Sequence, residues 1–198
     1  MPLNIPNLLT WLRIILIPLF VGVFYFEKSW VSLPNQNLAA TVIFVLAAVT
    51  DWLDGWLARR LNQTSAFGAF LDPVADKLMV AAALIILLQL DRLGAYGAIL
   101  TLIIIGREMT ISALREWMAQ IGNSKGVAVS YIGKIKTVSQ MIAIPLLLYK
   151  DRIGSFDPHW WGMLLIWIAA VLTLISMVYY FAMALPEINK RMGNKGNS

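Results

Sequence analysis

Four aspartates, Asp51, Asp54, Asp72 and Asp76, fall in one short stretch of the chain. The first two are three residues apart and the last two are four apart, so each pair would point from one face of a helix. The polar stretch between them, roughly 59–70, can turn the chain back and bring the two acidic faces together. Four carboxylates converging near hydrocarbon would cost about 2.5–3.5 kcal/mol each, so they require positive compensation.

Divalent cations are the partners that best explain the four acids together. The chain has no Cys and a single His, His159, which excludes thiolate sites and His-rich metal sites. Any metal here would be held by oxygen, which favours Mg²⁺, Mn²⁺ or Ca²⁺. Two divalent ions would balance four carboxylates, and a two-metal site suits phosphoryl chemistry.

Simpler explanations exist for the acids taken singly. Asp72 followed by Pro73 is typical of a helix N-cap with proline at the first helical position, and Asp76 would then lie in a first turn, where the helix dipole favours an acid. The two earlier acids have no such explanation, because they come late in an apolar helix. Each of them could pair with Arg59 or Arg60.

Two small residues continue the first acidic face, since Gly55 and Ala58 each follow an aspartate by four positions. Glycine costs about 1 kcal/mol in a helix relative to alanine, which suggests the close approach of something bulky. A flat ligand over these residues, with its phosphates on the metals, is the functional interpretation. Packing between helices through small residues is the alternative.

The composition predicts an integral membrane protein. The 198 residues are 59% hydrophobic and only 14% charged, against about 25% charged in ordinary soluble domains. With roughly 20 apolar residues per span, the chain has room for about six spans and no separate soluble catalytic domain. We therefore expect an all-α polytopic fold, with one membrane domain over 1–190 and a disordered tail over 191–198. The six expected helices are Leu8–Phe26, Leu38–Leu57, Pro73–Leu90, Ala95–Ala119, Val127–Tyr149 and Trp160–Leu185.

An even number of spans places both termini on one side of the membrane, and the basic residues indicate which side. Of the 16 Lys and Arg residues, twelve fall on the terminal side and four on the other, namely Lys28, Arg92, Lys150 and Arg152. The positive-inside rule therefore predicts that both termini are cytoplasmic.

A second group of basic residues suits the binding of a phosphate, for which arginine forks and lysine ammonium groups are the natural holders. Arg107 and Lys134 are expected to lie deeper in their helices and are favoured for this role. Arg115 could instead pair only with acids, and Glu108 could pair with a basic neighbour. The candidates in or near the cytoplasmic halves of spans one, four and five are Arg13, Arg107, Arg115, Lys134 and Lys136.

The acidic stretch resembles the complete signature of the CDP-alcohol phosphotransferase family. The pattern is Asp51-x-x-Asp54-Gly55-x-x-Ala58-Arg59, then eight residues, Gly68, three residues, Asp72, three residues and Asp76. Eight fixed residues across 26 positions make it specific. The flanks are similar to a bacterial subfamily that makes phosphatidylglycerol phosphate, and the resemblance covers nearly the whole chain. These flanks are Asn4–Thr10 with Arg13, Leu71–Lys77, Gly106–Glu108 with Arg115, and Gly133–Thr137.

The resemblance implies transfer of a phosphatidyl group from CDP-diacylglycerol to sn-glycerol 3-phosphate with release of CMP. It implies two metal ions, Mg²⁺ or Mn²⁺, on the four aspartates, with Asp76 also acting as the base. Gly55, Ala58, Arg59 and Gly68 would then form the nucleotide site. The expected location is the bacterial inner membrane, with the active site on the cytoplasmic side. Membrane lipids are further expected partners, a homodimer is compatible with the family, and no nucleic-acid partner is expected.

Two other functions remain open at this point. Another member of the same family would use a different acceptor, such as inositol phosphate, serine or phosphatidylglycerol. A divalent-cation carrier would use the four acids as a transport site, but no acids line a path to the opposite face of the membrane.

Overall fold

The computed structural model describes residues 5–27, 29–61, 66–120 and 131–194, and this part of the chain is all-helical. The predicted all-α class is thereby confirmed. Short 3₁₀ turns follow α1 and precede α4. The six helices of the described chain are α1 (Ile5–Gly22), α2 (Leu33–Leu61), α3 (Ala66–Gln89), α4 (Gly97–Gln120), α5 (Tyr131–Tyr149) and α6 (Pro158–Asn194).

Four stretches of the described chain are long and apolar enough to cross a membrane: Leu8–Tyr25, Leu33–Leu53, Gly94–Gln120 and Pro158–Pro186. They correspond to α1, α2, α4 and α6. The other two helices, α3 and α5, carry charged and polar residues of the predicted site in their first halves, which shortens their apolar segments. These four helices are consistent with a polytopic membrane protein.

Large apolar side chains cover the outside of the helices as well as the inside. Leu102 on α4 is 73% exposed and Val178 on α6 is 67% exposed. The core consists of other apolar side chains, among them Phe20, Phe44, Leu84, Leu100 and Ile144. Because lipid is the medium in which an apolar exterior is stable, this distribution agrees with the composition.

Among the described helices, α5 and α6 make the most extensive contact, and a glycine permits a close approach between them. A Cβ built at Gly162 would lie 2.7 Å from Cγ of Leu147, so a larger residue would push α6 away from α5.

The start of α6 follows the usual rules of capping, because Asp157 accepts a hydrogen bond from the Trp160 N–H at 3.1 Å and Pro158 takes the first helical position. This hydrogen bond lowers the pKa of Asp157.

The third helix begins at Ala66, seven residues before the predicted start, so the interpretation of Asp72 and Pro73 as an N-cap and first helical residue is wrong. Pro73 lies inside α3, where its ring removes one backbone N–H from the helix. The preceding residues, Ala66 to Leu71, include good helix formers that extend the helix past the proline on its N-terminal side. Asp76 consequently lies in the third turn, too far from the helix start for the dipole to explain its charge.

Other boundaries also differ from the prediction. Helix α2 runs from Leu33 to Leu61, longer at both ends than predicted. Helix α6 continues to Asn194, so the first part of the predicted disordered tail, 191–194, is helical. Lys190, Arg191 and Met192 are favourable helix formers, which accounts for the extension beyond the apolar segment. The predicted start of the fifth helix at Val127 and residues 195–198 lie outside the described residues.

A buried arginine ties four elements together at the end of the bundle away from the acidic stretch. Helix α3 ends with Asp91 at φ +51° and a hydrogen bond from the Arg92 N–H to the Leu87 carbonyl at 2.9 Å, the arrangement of a Schellman motif. The Arg92 guanidinium donates to the Leu147 carbonyl at 3.2 Å, to the Leu148 carbonyl and to Oδ1 of Asn37.

The contacts of Arg92 thus join the α3–α4 loop to α2 and to the end of α5. Nε2 of His159 on α6 lies 3.1 Å from the Arg92 carbonyl oxygen, so α6 belongs to the same assembly. Burial lowers the pKa of Arg92, while the Asp151 carboxylate acts in the opposite direction. His159 therefore has a structural contact here.

We expect Arg92→Ala to lower the free energy of unfolding by about 3 kcal/mol, since it leaves buried carbonyl groups and Asn37 without their charged donor. Thermal unfolding in detergent measures the effect. The matched control is Arg152→Ala, because Arg152 is 77% exposed and pairs with Asp157 at the surface, where ion pairs are worth about 0–1 kcal/mol. Equal unfolding temperatures for the two variants would contradict the structural role of Arg92.

Candidate active site

One face of α1 contacts both acidic helices. Oγ1 of Thr10 donates a hydrogen bond to Oδ1 of Asp72 on α3 at 2.6 Å. Nη1 of Arg13 lies 2.7 Å from Oδ1 of Asp51 on α2. Thr10 and Arg13 are three residues apart and share a face of α1. Asp51 and Asp72, two of the four predicted acids, are thereby brought to a common side of α1.

Asp76 lies deeper in the same region, among charges of both signs. Its charged neighbours are Asp51, Glu108, Arg13 and Lys136. The two acids repel the Asp76 carboxylate and the two basic residues attract it. Asp76 also faces a cavity of about 50 Å³, whose other lining residues are Lys77, Val80, Glu108, Thr137, Gln140 and Met141.

The acidic residues fit divalent cations by their donor chemistry. Carboxylate oxygens are the ligands that Mg²⁺ and Mn²⁺ prefer, and Asp51 and Asp76 are close enough to repel each other electrostatically. Within the described ranges, no group of three or more His, Cys, Asp or Glu side chains is close enough to hold a metal ion. The Asp54 side chain, the fourth predicted ligand, lies outside the described residues.

Two buried basic residues converge on Glu108. Lys136 on α5 is 1% exposed and forms an ion pair with Oε1 of Glu108. Nη1 of Arg107 lies 3.6 Å from the same oxygen. Glu108 therefore pairs with basic neighbours, as one of its sequence interpretations predicts. These three groups together carry one net positive charge, and the Asp76 carboxylate lies near enough to attract Lys136.

Helix α6 holds the arginines of α4. Nη2 of Arg107 donates to Oγ of Ser176 at 3.0 Å, and Nη2 of Arg115 donates to the Tyr180 hydroxyl at 2.9 Å. Both guanidinium groups also lie over the Tyr180 ring, with Arg107 at 5.6 Å and Arg115 at 5.1 Å from its centroid. These are cation–π distances, so a single buried tyrosine positions two arginines.

The expectation that Lys134 is one of the deeper basic residues is wrong. Lys134 is exposed in the first turn of α5, whereas Lys136 is buried. Two residues along a helix correspond to about 200° of rotation, so the two lysines point in nearly opposite directions. Arg13 differs from its prediction in another way, since its ion pair is with the acid Asp51.

The predicted nucleotide site lies on α2 and α3. Gly55 and the side chains of Ala58 and Arg59 are outside the described residues, while Gly68 is buried in α3. The neighbouring Arg60 stacks over the Trp56 ring at 4.9 Å from its centroid.

Comparison with known proteins decides the family. A family model described as CDP-alcohol phosphatidyltransferase matches residues 3–175, which include every predicted site residue. The chain belongs to the CDP-alcohol phosphatidyltransferase family. The resemblance seen in the acidic stretch is thereby confirmed.

Several curated relatives of this chain are bacterial. The proteins of Escherichia coli strain K12, Shigella flexneri serotype 5b and Shigella boydii serotype 4 are each 48% identical to it over 188 residues. The match covers 95% of this chain and 98% of each relative. All three relatives are named CDP-diacylglycerol–glycerol-3-phosphate 3-phosphatidyltransferase.

The sequence does not single out four residues that the structure places around the charged groups. Thr10 was noted only as part of a flanking motif, and its spacing from Arg13 could have indicated a shared face. Gln140, Ser176 and Tyr180 lie in apolar helices far along the chain from the acids. Polar residues on the buried face of an apolar helix were the available signal.

Proposed function

We propose that this protein is a membrane-bound transferase that moves the phosphatidyl group of CDP-diacylglycerol to sn-glycerol 3-phosphate. The products are phosphatidylglycerol phosphate and CMP. The observation that carries the proposal is the 48% identity over 95% of the chain to relatives whose name states this reaction. The contacts of Asp51 and Asp72 with one face of α1 support it.

The four aspartates at 51, 54, 72 and 76 would hold two Mg²⁺ or Mn²⁺ ions. When bound, such ions neutralise the diphosphate of the donor and assist departure of CMP. Thr10 and Arg13 orient Asp72 and Asp51 toward this role through the contacts described above. The nucleotide would lie over Gly55, Ala58, Arg59 and Gly68.

Asp76 acts as the general base in this proposal. The acceptor hydroxyl oxygen attacks the phosphorus that bears the diacylglycerol, the bond from that phosphorus to the oxygen of CMP breaks, and the hydroxyl proton passes to Asp76. The position of Asp76 on the wall of a small cavity supports this assignment, because the cavity is also lined by Glu108, whose carboxylate forms an ion pair with Lys136. A direct attack needs no covalent intermediate.

The acceptor phosphate would bind to the basic residues of α4 and α5. Arg107 and Lys136 are the strongest candidates, because they are buried and share one carboxylate. Nε of Arg107 and Nε of Arg115 are buried without an acceptor among the described residues, so each has a donor available to a phosphate oxygen. Lys134 could contribute from the exposed side of α5, and Arg13 from α1.

The proposed topology has all six helices crossing the membrane, both termini in the cytoplasm and the site at the cytoplasmic face. The distribution of Lys and Arg supports this orientation. It places the site where a water-soluble phosphate and a lipid donor can both enter.

The direct test incubates purified protein in detergent with CDP-diacylglycerol and radiolabelled sn-glycerol 3-phosphate. We expect lipid-linked label and an equal amount of CMP, both abolished by a chelator and restored by excess Mg²⁺. Unlabelled inositol phosphate, serine and phosphatidylglycerol serve as competing acceptors. If one of these is used instead of glycerol phosphate, or if no CMP is released, the proposed reaction is wrong.

Asp76→Asn should lower kcat by about 10²–10⁴-fold, the usual contribution of a general base, while CDP-diacylglycerol and metal still bind. Initial-rate assays measure kcat, and binding titrations with metal and with CDP-diacylglycerol measure binding separately. Asp91→Asn is the matched control, because Asp91 is exposed in the α3–α4 loop and Asn tolerates its positive φ. Near-normal turnover of Asp76→Asn with metal bound would rule out its role as base.

Arg107→Ala and Lys136→Ala should each raise the KM for sn-glycerol 3-phosphate by about tenfold to a hundredfold, since each removes a charge-assisted contact to phosphate. The KM for CDP-diacylglycerol should change much less. Lys150→Ala, an exposed position after α5, is the control. Lys134→Ala, assayed alongside, measures what the exposed lysine adds. Unchanged acceptor KM values in both buried variants would remove this phosphate site.

A further inference from the structure

The cavity beside Asp76 contains a polar group that the proposed reaction leaves without a role. Gln140 on α5 is 3% exposed and lines the cavity. Its Oε1 atom is buried and has no hydrogen-bond partner in the described part of the chain. Buried acceptors are nearly always paired in folded proteins, so this oxygen points to a ligand that donates a hydrogen bond.

The other polar groups that line the cavity are paired, have a role or carry no acceptor. Glu108 is paired with Lys136. The Thr137 hydroxyl donates to the Gly133 carbonyl at 3.0 Å. Asp76 is assigned to the reacting hydroxyl, and the Lys77 ammonium group has only donors. Among the described residues that line the cavity, Gln140 alone has a buried acceptor atom without a hydrogen-bond partner.

The dimensions of the cavity limit what this second group can be. A volume of about 50 Å³ corresponds to roughly four water-sized spheres. A ligand that reaches both Asp76 on α3 and Gln140 on α5 inside such a space is small and carries more than one polar group. Adjacent hydroxyl groups on a short carbon chain satisfy both conditions, because one can meet the carboxylate and the next the amide.

We infer that Gln140 binds the non-reacting hydroxyl of the acceptor, next to the hydroxyl that meets Asp76, and so selects an acceptor phosphate with two adjacent hydroxyl groups. This inference rests on the proposed function and adds a specificity-determining residue to it. A site built to pair a hydroxyl rejects an analogue that lacks it, since the buried protein group is then left unpaired. Gln140 touches the acceptor and not the nucleotide lipid.

The test compares two acceptors with the intact protein. These are sn-glycerol 3-phosphate and 3-hydroxypropyl phosphate, which keeps the primary hydroxyl and the phosphate but lacks the central hydroxyl. We expect the unmodified protein to prefer the first by about tenfold to a hundredfold in kcat/KM. This measurement requires no variant, so it does not depend on how a substitution folds.

Two variants then assign the preference to Gln140. Gln140→Met keeps a similar shape without the amide. We expect its ratio of kcat/KM values for the two acceptors to fall toward one, because its kcat/KM for sn-glycerol 3-phosphate decreases. The KM for CDP-diacylglycerol should stay unchanged. Gln140→Glu keeps an acceptor oxygen and should retain the preference. The matched control is Gln89→Met, at an exposed position near the end of α3.

The outcomes separate this inference from the proposed function. If the unmodified protein releases CMP with both acceptors at equal efficiency, or if Gln140→Met keeps the full preference, the role of Gln140 is wrong and the transferase function stands. If the unmodified protein releases no CMP with either acceptor, the proposed function fails and this inference fails with it.

Discussion

Charges inside an apolar chain must be compensated, and the arrangement of this site follows from that constraint. The ion pair between Arg13 and Asp51, together with the hydrogen bond from Thr10 to Asp72, lets one face of α1 hold the acidic faces of α2 and α3. Without the Asp51 carboxylate, the buried Arg13 guanidinium would carry an uncompensated desolvation cost. Metal ions and the substrate phosphates would complete the compensation in the working enzyme.

The same need for compensation applies to the buried basic residues of α4 and α5. Arg107 and Lys136 share the single carboxylate of Glu108, and Tyr180 supports the arginines of α4 with its ring and hydroxyl. The two cations and the one carboxylate together carry a net positive charge, which suits a place where an anion binds. At the other end of the bundle, Arg92 is held by carbonyl oxygens and Asn37, and there the role is structural. Burial of an arginine does not by itself identify a binding site; its partners distinguish the two cases.

The helical class, the acidic helices and the family could be predicted from the sequence because each depends on local spacing. The errors arose where spacing was ambiguous. Proline is common at a helix start, which favours Pro73 as the first residue of α3, yet the residues before it continue the helix. The sequence analysis favours Lys134 over Lys136, although only one of two lysines two positions apart can face the bundle interior. The helix phase that decides between them depends on how α5 packs against its neighbours.

By itself, the sequence determined that the chain is an apolar helical protein with four acids of fixed spacing and the signature of its family, because composition and helical periodicity are properties of the chain alone. Only the tertiary structure decided which groups from distant helices meet. Thr10 with Asp72, Lys136 with Glu108, and Gln140 with the Asp76 cavity are separated by many residues along the chain. Such contacts are selected by the packing of whole helices, which no short stretch of sequence encodes.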